Sequence, residues 1–262
     1  MIIQPLWSSK FQIKSGTWVF VPTNEAVAFG RSLKELLEER WSAPRFYYHL
    51  RKGGHVAAIK THLPNSYFVH LDIAKFFNHI TRSRVTRWLK PYVGYREARE
   101  MACNSTVKIP DSNVYALPYG FVQSPILASL CLSKSKLGRL LAKMAKEKLI
   151  SVSVYVDDII LSSNFLKDLE SAVTELVDAA SASSLAINEQ KTEGPAVVVS
   201  SFNIEISNKS LCVTGERLEL FKQALTRCKK RQEVRGILNY VGTINSAQKK
   251  ALISFVPAKI GS

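Results

Sequence analysis

Two adjacent carboxylates, Asp157 and Asp158, lie in residues 151–162, SVSVYVDDIILS. Val152, Val154 and Val156 alternate with Ser153, Tyr155 and Asp157, the period-2 pattern of a strand with one apolar and one open face. Ile159 and Leu161 mark a second strand returning into the core, so the pair stands at the bend of a hairpin, with Asp157 on the face of Tyr155. Adjacent carboxylates on so apolar an element repel each other and lose hydration unless cations compensate them. Magnesium keeps waters and needs only one or two protein carboxylates, which suits such a bend. A solvated Asp-Asp turn has the same composition, so the pair needs support from elsewhere in the chain.

A second carboxylate strand supplies it. In residues 67–73, YFVHLDI, Val69, Leu71 and Ile73 share one face and Phe68, His70 and Asp72 the other. Asp72 ends the strand and is followed by Lys75-Phe76-Phe77; a helix N-cap is the competing role for it. If the strand continues, Phe76 and Phe77 face opposite ways, and one of them belongs to the core. Residues 117–130, LPYGFVQSPILASL, read as a turn and then a helix, with Ser124 at its N-cap and Pro125 first inside. That helix is expected to run on, with Leu130, Leu137, Leu140, Leu141 and Met144 apolar and Lys136, Arg139, Lys143 and Lys146 in a basic stripe opposite. Residues 185–192, LAINEQKT, form a strand end and a turn carrying Lys191.

The remaining elements frame these four stretches. A helix is predicted over 24–41. Residues 46–60, FYYHL-RKGG-HVAAIK, read as a basic β-hairpin turning at Lys52-Gly53-Gly54, with Arg51 and Lys60 on or beside the arm. A basic helix covers 81–95, and a short β-excursion over 103–116 is broken at Pro110-Asp111. An amphipathic helix follows the carboxylate hairpin over 166–183, then strands at 196–199 and 202–206. From Gly215 onward the pattern is helical, with Lys222, Arg227, Lys229, Lys230, Arg231 and Arg235 crowded together.

The chain has 262 residues, enough for a substantial core, and 46% are hydrophobic. Thirty-six Lys and Arg against 21 Asp and Glu give +15 and a pI near 9.7, which calls for a polyanionic partner, most simply nucleic acid. An anionic membrane surface is the competing explanation, but no apolar run approaches the ~18 residues of a membrane span. Residues 1–10 lack a signal-peptide pattern. Cys103, Cys131, Cys212 and Cys228 are scattered, as reduced thiols of a cytosolic protein would be. The five histidines have no ligand-like spacing.

Together these stretches resemble reverse transcriptases over residues 45–245, specifically the bacterial group that contains retron, group II intron and phage-defence enzymes. Tyr155-Val156-Asp157-Asp158 matches the YxDD signature, and Asp72 with Phe76-Phe77 is similar to D-x-x-x-F-F. Leu117-Pro118, Gly120 and Ser124-Pro125 resemble the LPxGxxxSP loop, Asn188 and Lys191 the N-x-x-K element, and Arg235-Gly236 with Asn239-Tyr240 a thumb segment. The resemblance implies an α+β right-hand polymerase fold with an antiparallel, RRM/ferredoxin-like palm sheet, β-hairpin fingers and a short helical thumb. Its divisions fall at 1–65 for the N-terminal segment and fingers, 66–214 for the palm with a finger-like insertion about 81–116, and 215–262 for the thumb.

The activity so implied is RNA-directed DNA polymerisation, in which two magnesium ions, or manganese, promote in-line attack of a primer 3′-oxygen on an α-phosphate. Asp72 and Asp157 would bridge the metals, with Asp158 and Ile73 beside them and Lys191 assisting the leaving pyrophosphate. Lys60 and Arg51 would clamp the triphosphate, Phe77 would lie beneath the sugar, and Tyr119, Gly120 and Gln123 would meet the nucleotide. Tyr155, Lys222, Lys229, Lys230, Arg231 and Arg235 would contact nucleic acid. Three departures stand out: Tyr119 replaces the usual Gln, Lys75 an often acidic position, and residues 201–207 lack the glycine of a primer-grip hairpin. A small chain ending soon after its thumb resembles stand-alone enzymes of the bacterial cytoplasm. The partners expected are a cognate non-coding RNA template, a DNA primer and product, and dNTPs, with a partner protein or self-assembly open, no membrane, and a role in antiphage defence. Untemplated or protein-primed synthesis, suggested by Tyr119 and the glycine-free 201–207, and a catalytically silent nucleic-acid-binding scaffold are the alternatives. An RNA-directed RNA polymerase would share the palm, but Phe77 and YVDD favour the deoxy substrate.

Overall fold

The two carboxylate-bearing strands meet in one sheet. The computed structural model describes residues 2–14, 16–110, 112–228 and 230–257. In chain order these form β1 (Trp7–Lys14), β2 (Thr17–Pro22), α1 (Asn24–Arg40), α2 (Gly54–Lys60), β3 (Tyr67–Asp72), α3 (Phe76–His79), α4 (Arg82–Val93) and α5 (Tyr95–Ser105). Next come β4 (Val107–Lys108), β5 (Tyr115–Ala116), α6 (Ser124–Ser133), α7 (Lys136–Glu147), β6 (Ser151–Tyr155), β7 (Asp158–Ser163) and α8 (Leu166–Ser181). The chain continues through β8 (Glu193–Ala196), β9 (Val198–Ser201), β10 (Ile204–Ser207), β11 (Ser210–Val213), α9 (Gly215–Arg227), α10 (Arg231–Ile244) and α11 (Ser246–Ile253).

The central sheet has the order β6-β7-β3-β8, with every neighbouring pair antiparallel. Helices cross between β3 and β6 and again between β7 and β8, the split βαβ arrangement of ferredoxin-like sheets. One face, carrying Val69, Leu71, Val154, Ile159 and Leu161, packs on Leu127 and Leu130 of α6, Leu137 and Leu141 of α7, and Leu169 and Leu176 of α8. Each such leucine, fully buried, contributes on the order of 1.5–3 kcal/mol.

The face predicted to be open is largely covered. Phe68 and Ile160 pack against Ile59 of α2 and against Val199, Ile204, Ile206 and Leu211 of a second sheet, β9–β11. Ser153 is buried there, because the turn after α2 lays His62 across the strands. His62 Nε2 and Nδ1 lie 2.8 and 2.7 Å from the Ser153 and Ser162 hydroxyls. Asn65 Nδ2 donates to Ser151 and Ser162 at 2.9 and 2.7 Å. At the end of the face that bears the aspartates, Asp157 and Asp158 stay partly exposed. A separate core of Val213, Leu225, Val234, Val241 and Leu252 holds α9–α11 together.

Several local expectations change. Residues 46–60 are not a hairpin: Tyr48–Leu50 is a 3-10 turn, and α2 begins after Gly53 and Gly54, whose φ values are +94° and +52°. The glycines supply the left-handed entry to a helix instead of a hairpin turn, and Ala57-Ala58 favour the helix that buries Ile59. The β-hairpin at this end of the chain is β1–β2. The single helix expected from Ser124 is two, because Ser135 caps α7 by accepting from the Gly138 amide at 3.0 Å. Gln123, not Ser124, occupies the cap position of α6; the Ser124 hydroxyl turns back to donate to the Pro118 carbonyl at 2.7 Å. Phe76 and Phe77 lie in the helical turn α3, entered through Lys75 at φ +47°, and Asp72 caps no helix. Residues 103–105 finish α5, and Asp111 of the expected Pro110-Asp111 break lies outside the described residues. Among the described residues no helix is long and apolar enough to cross a membrane, and all four cysteines are free thiols.

Candidate active site

The register of β3 against β7 sets Asp72 directly opposite Asp158. Asp157, expected to be the nearer neighbour, belongs to the bend, where the Ile73 amide donates to its carbonyl at 2.9 Å. Ile73 is fully buried in the main core, so only its backbone reaches the bend. The bend turns through Val156 at φ +62°, a conformation that costs a β-branched residue about 1–3 kcal/mol. Three carboxylates thus share one end of the sheet.

Their environments differ. Asp72 is 3% exposed, and both its oxygens are engaged: Oδ1 accepts from Asn188 Nδ2 at 3.0 Å and Oδ2 from Lys191 Nζ at 2.6 Å. The Asn188 amide also donates to the Asp72 carbonyl at 2.8 Å, which fixes the segment bearing Lys191. That hydrogen bond to Asp72 holds the Lys191 ammonium above its ordinary pKa. Asp158 Oδ1 lies 2.8 Å from His70 Nε2. Burial, then the charges of Asp158 and Asp72, push Asp157 up from 3.8 to about 6, against its own backbone hydrogen bond and Lys191.

Such a cluster favours a bound cation. Among the described residues no three His, Cys, Asp or Glu side chains close into a ligand cage. An open set of carboxylates still fits magnesium, which completes its shell with water and phosphate oxygens. Asp72, Asp157 and Asp158 are the candidate holders.

Tyr119 approaches the same end. Burial and then the charges of Asp157 and Asp72 push its phenol up to about 12, and its ring lies 4.8 Å from that of Phe77. The next residue, Gly120, at φ +102°, backs onto the Phe20 carbonyl so closely that a Cβ would collide with it. The Phe20 amide donates to the Tyr119 carbonyl at 2.9 Å, pinning this loop to β2. Phe77 is buried beneath the loop.

Other expected contacts are not assembled here. Gln123 is fully buried, with Nε2 directed at Ser105 Oγ (3.3 Å) and the Asn104 carbonyl (3.4 Å), so it braces α5 against α6 and cannot touch a nucleotide. Arg51 bonds back to the Arg45 carbonyl and lies over the Tyr48 ring; Lys60 ends α2 on the surface. Neither contacts the aspartates. Tyr155 is surrounded by His49, His55 and Phe202, with centroids 5.7, 6.1 and 5.2 Å away. The turn lacking glycine is made by Phe202 and Asn203, at φ +55° and +59°. His55 Nε2 also lies 3.2 Å from Tyr240 Oη of α10, tying the last helices to this cluster. Lys222 and Lys230 are paired on the surface with Glu219 (3.0 Å) and Glu233 (3.6 Å). Arg231 and Arg235 are exposed on α10, and Lys229 lies outside the described residues. His70 and His49 were not anticipated, although His70 stands two residues before Asp72 on the same strand face, a legible signal.

Residues 28–196 match the family model described as reverse transcriptase (RNA-dependent DNA polymerase). The structure of telomerase from Candida albicans in complex with a TWJ fragment of telomeric RNA is similar at TM-score 0.55 and 10% identity, covering 88% of this chain and 46% of that one. The foamy viral protease-reverse transcriptase with an RNA/DNA hybrid gives TM-score 0.45 at 18% identity, covering 68% of this chain and 22% of that one. Its dRH form with double-stranded DNA gives 0.49 at 16%, covering 94% and 38%. The chain spans less than half the length of each of these proteins. No curated protein sequence matches it. The family match, with the telomerase likeness and the antiparallel sheets, shows a reverse-transcriptase-like polymerase fold.

Proposed function

The chain belongs to the reverse transcriptase family, and from that premise we propose that it is an RNA-directed DNA polymerase acting at the Asp72–Asp157–Asp158 end of its central sheet. The observation that carries this reading is the meeting of three carboxylates, from β3, β7 and the bend before β7, beside Lys191, with Asp157 raised by burial and by its neighbours. Magnesium or manganese bound there, expected as two ions, would neutralise charge in the in-line displacement and activate the primer hydroxyl. Asp72 and Asp157 would be the main holders, with Asp158, braced by His70, and the Ile73 backbone beside them.

The chain's own residues have separable tasks in this account. Asn188 and Lys191 hold Asp72 in one orientation. The Lys191 side chain is 48% exposed, so its ammonium can also reach a departing pyrophosphate. Phe77 and Tyr119 form an aromatic floor where a sugar would rest, and the surface cations Arg51 and Lys60 are offered to the triphosphate. Tyr155, Lys222, Lys230, Arg231 and Arg235 would follow the nucleic acid, in keeping with the +15 charge. In this division residues 1–65 serve as the N-terminal segment and fingers, 66–214 as the palm and 215–262 as the thumb. A cognate non-coding RNA as template, with antiphage defence as its purpose, is the finer reading.

Protein-primed synthesis would need a nucleophilic hydroxyl at the site, and the Tyr119 phenol lies close enough to feel the charges of Asp157 and Asp72. Its phenol is pushed up to about 12, which keeps it protonated and favours a packing role. The test is to purify the protein with its bound nucleic acid, supply dNTPs and magnesium, and sequence both RNA and product. A complementary copy of a bound RNA is expected; an untemplated product, or no incorporation at all, would overturn the reading.

A further inference from the structure

We propose that His49 is a positioning residue for the catalytic bend, holding Val156 in its left-handed conformation and thereby fixing Asp157. The proposal rests on the polymerase reading of that bend, and adds a residue outside all the motifs that carry it. The Val156 amide donates to His49 Nδ1 at 3.0 Å. An amide only donates, so Nδ1 is the bare nitrogen and Nε2 carries the proton. Nε2 lies 2.6 Å from Ser129 Oγ, whose own hydroxyl donates to the Pro125 carbonyl at 2.8 Å. Every donor in this chain has an acceptor, so it runs in one direction from the bend to the first turns of α6. It therefore links the strand bend to the helix that follows the Tyr119 loop.

The ring itself is fixed. It stacks on Tyr47 (centroids 6.1 Å, interplanar angle 28°) and meets Tyr155 edge-on at 5.7 Å. Its backbone is fixed too, because the segment before it runs beside β6, with the Val154 amide donating to the Phe46 carbonyl at 2.8 Å. Burial lowers the His49 pKa to about 4, although the nearby Val154 backbone favours the charged ring, so the ring is neutral at neutral pH and its accepting nitrogen is free of a proton. A β-branched residue at positive φ persists only where its surroundings hold it, and the His49 bond is the one its own amide makes.

The test compares His49→Leu, which keeps bulk but has no acceptor, with His49→Asn, whose Oδ1 can take the place of Nδ1. Each is also made in the Val156→Gly background, where the positive φ is intrinsically tolerated. Two readouts are taken: kcat and KM for dNTP incorporation, and deuterium exchange at the residue 156 amide. His49→Leu is expected to lower kcat on the order of 10²-fold with KM little changed, and to raise exchange at residue 156 by a similar factor. His49→Asn should retain most of both. In the Val156→Gly background the kcat loss from His49→Leu should shrink to about tenfold or less. Unchanged exchange and kcat in His49→Leu, or the same loss in both backgrounds, would overturn the proposal. Should His49→Leu fail to fold, Ser129→Ala removes the next link and is expected to give a partial loss of both; wild-type behaviour there would likewise overturn it. Failure of wild-type protein to incorporate nucleotides would instead count against the polymerase reading, and exchange at residue 156 would still decide the clamp.

Discussion

Asp157→Asn should stabilise the protein while destroying its chemistry. In the unfolded chain this carboxyl titrates near 3.8; in the folded protein burial, Asp158 and Asp72 raise it to about 6. Between those values the folded protein holds a proton that the unfolded chain has released. Wild-type stability therefore falls as pH rises through that window, and above about 6 the buried charge is carried in full. A rise from 3.8 to about 6 corresponds, at 1.36 kcal/mol per tenfold, to about 3 kcal/mol as an upper bound. Asp157 is partly exposed, so solvent screening reduces the expected gain to about 1–2 kcal/mol. At about 2–4 °C per kcal/mol for a chain near this size, Tm should rise by about 2–8 °C at neutral pH in the presence of a chelator. Below about pH 4 both states are protonated and the advantage should vanish. Magnesium should stabilise the wild type and much less the variant. Calorimetric melts of both proteins at the two pH values, with and without magnesium, make the comparison. An Asn variant no more stable at neutral pH, or equally stabilised at both, would refute the electrostatic reasoning.

Three further variants carry expected outcomes. Lys191→Met removes the cation from an almost fully buried Asp72; because the lysine end is half exposed, the loss should be about 1–2 kcal/mol by urea denaturation in chelator. The same variant should lower kcat by about 10²-fold or more in single-turnover incorporation. His62→Ala leaves the buried Ser153 and Ser162 hydroxyls without their shared partner and opens a cavity, so urea titration should show a loss of about 2–4 kcal/mol. Phe77→Val opens the floor beneath Tyr119, and competition between rNTPs and dNTPs should show at least about a tenfold weaker preference for dNTPs.

The sheet was legible because its pattern is local. Alternation at 67–73 and 151–162 marks β3, β6 and β7, and the carboxylates fall where those alternations end. What was not legible depends on which surfaces meet. Gly53-Gly54 permit a hairpin turn as readily as a helix entry, and only the packing of Ile59 against Phe68 selects the helix. Ser153 reads as exposed until His62 arrives from 91 residues away to cover it. Gln123 sits within the loop motif, yet its burial between α5 and α6 assigns it to the scaffold. The Asp72–Asp158 register follows from strand pairing, and spacing along the chain cannot distinguish it from an Asp72–Asp157 pair. His70 and His49 escape a search for ligand spacing because they hold the bend and one of its carboxylates instead of a metal.

The central claim is that Asp72, at the end of β3, and Asp157, in the bend between β6 and β7, form one catalytic centre. It is tested most directly by extension of a DNA primer on a defined RNA template, with dNTPs and magnesium, comparing the wild type with Asp72→Ala and Asp157→Ala. The account predicts a complementary DNA product from the wild type and none from either variant, with both variants folded. Undiminished extension by either variant would contradict it.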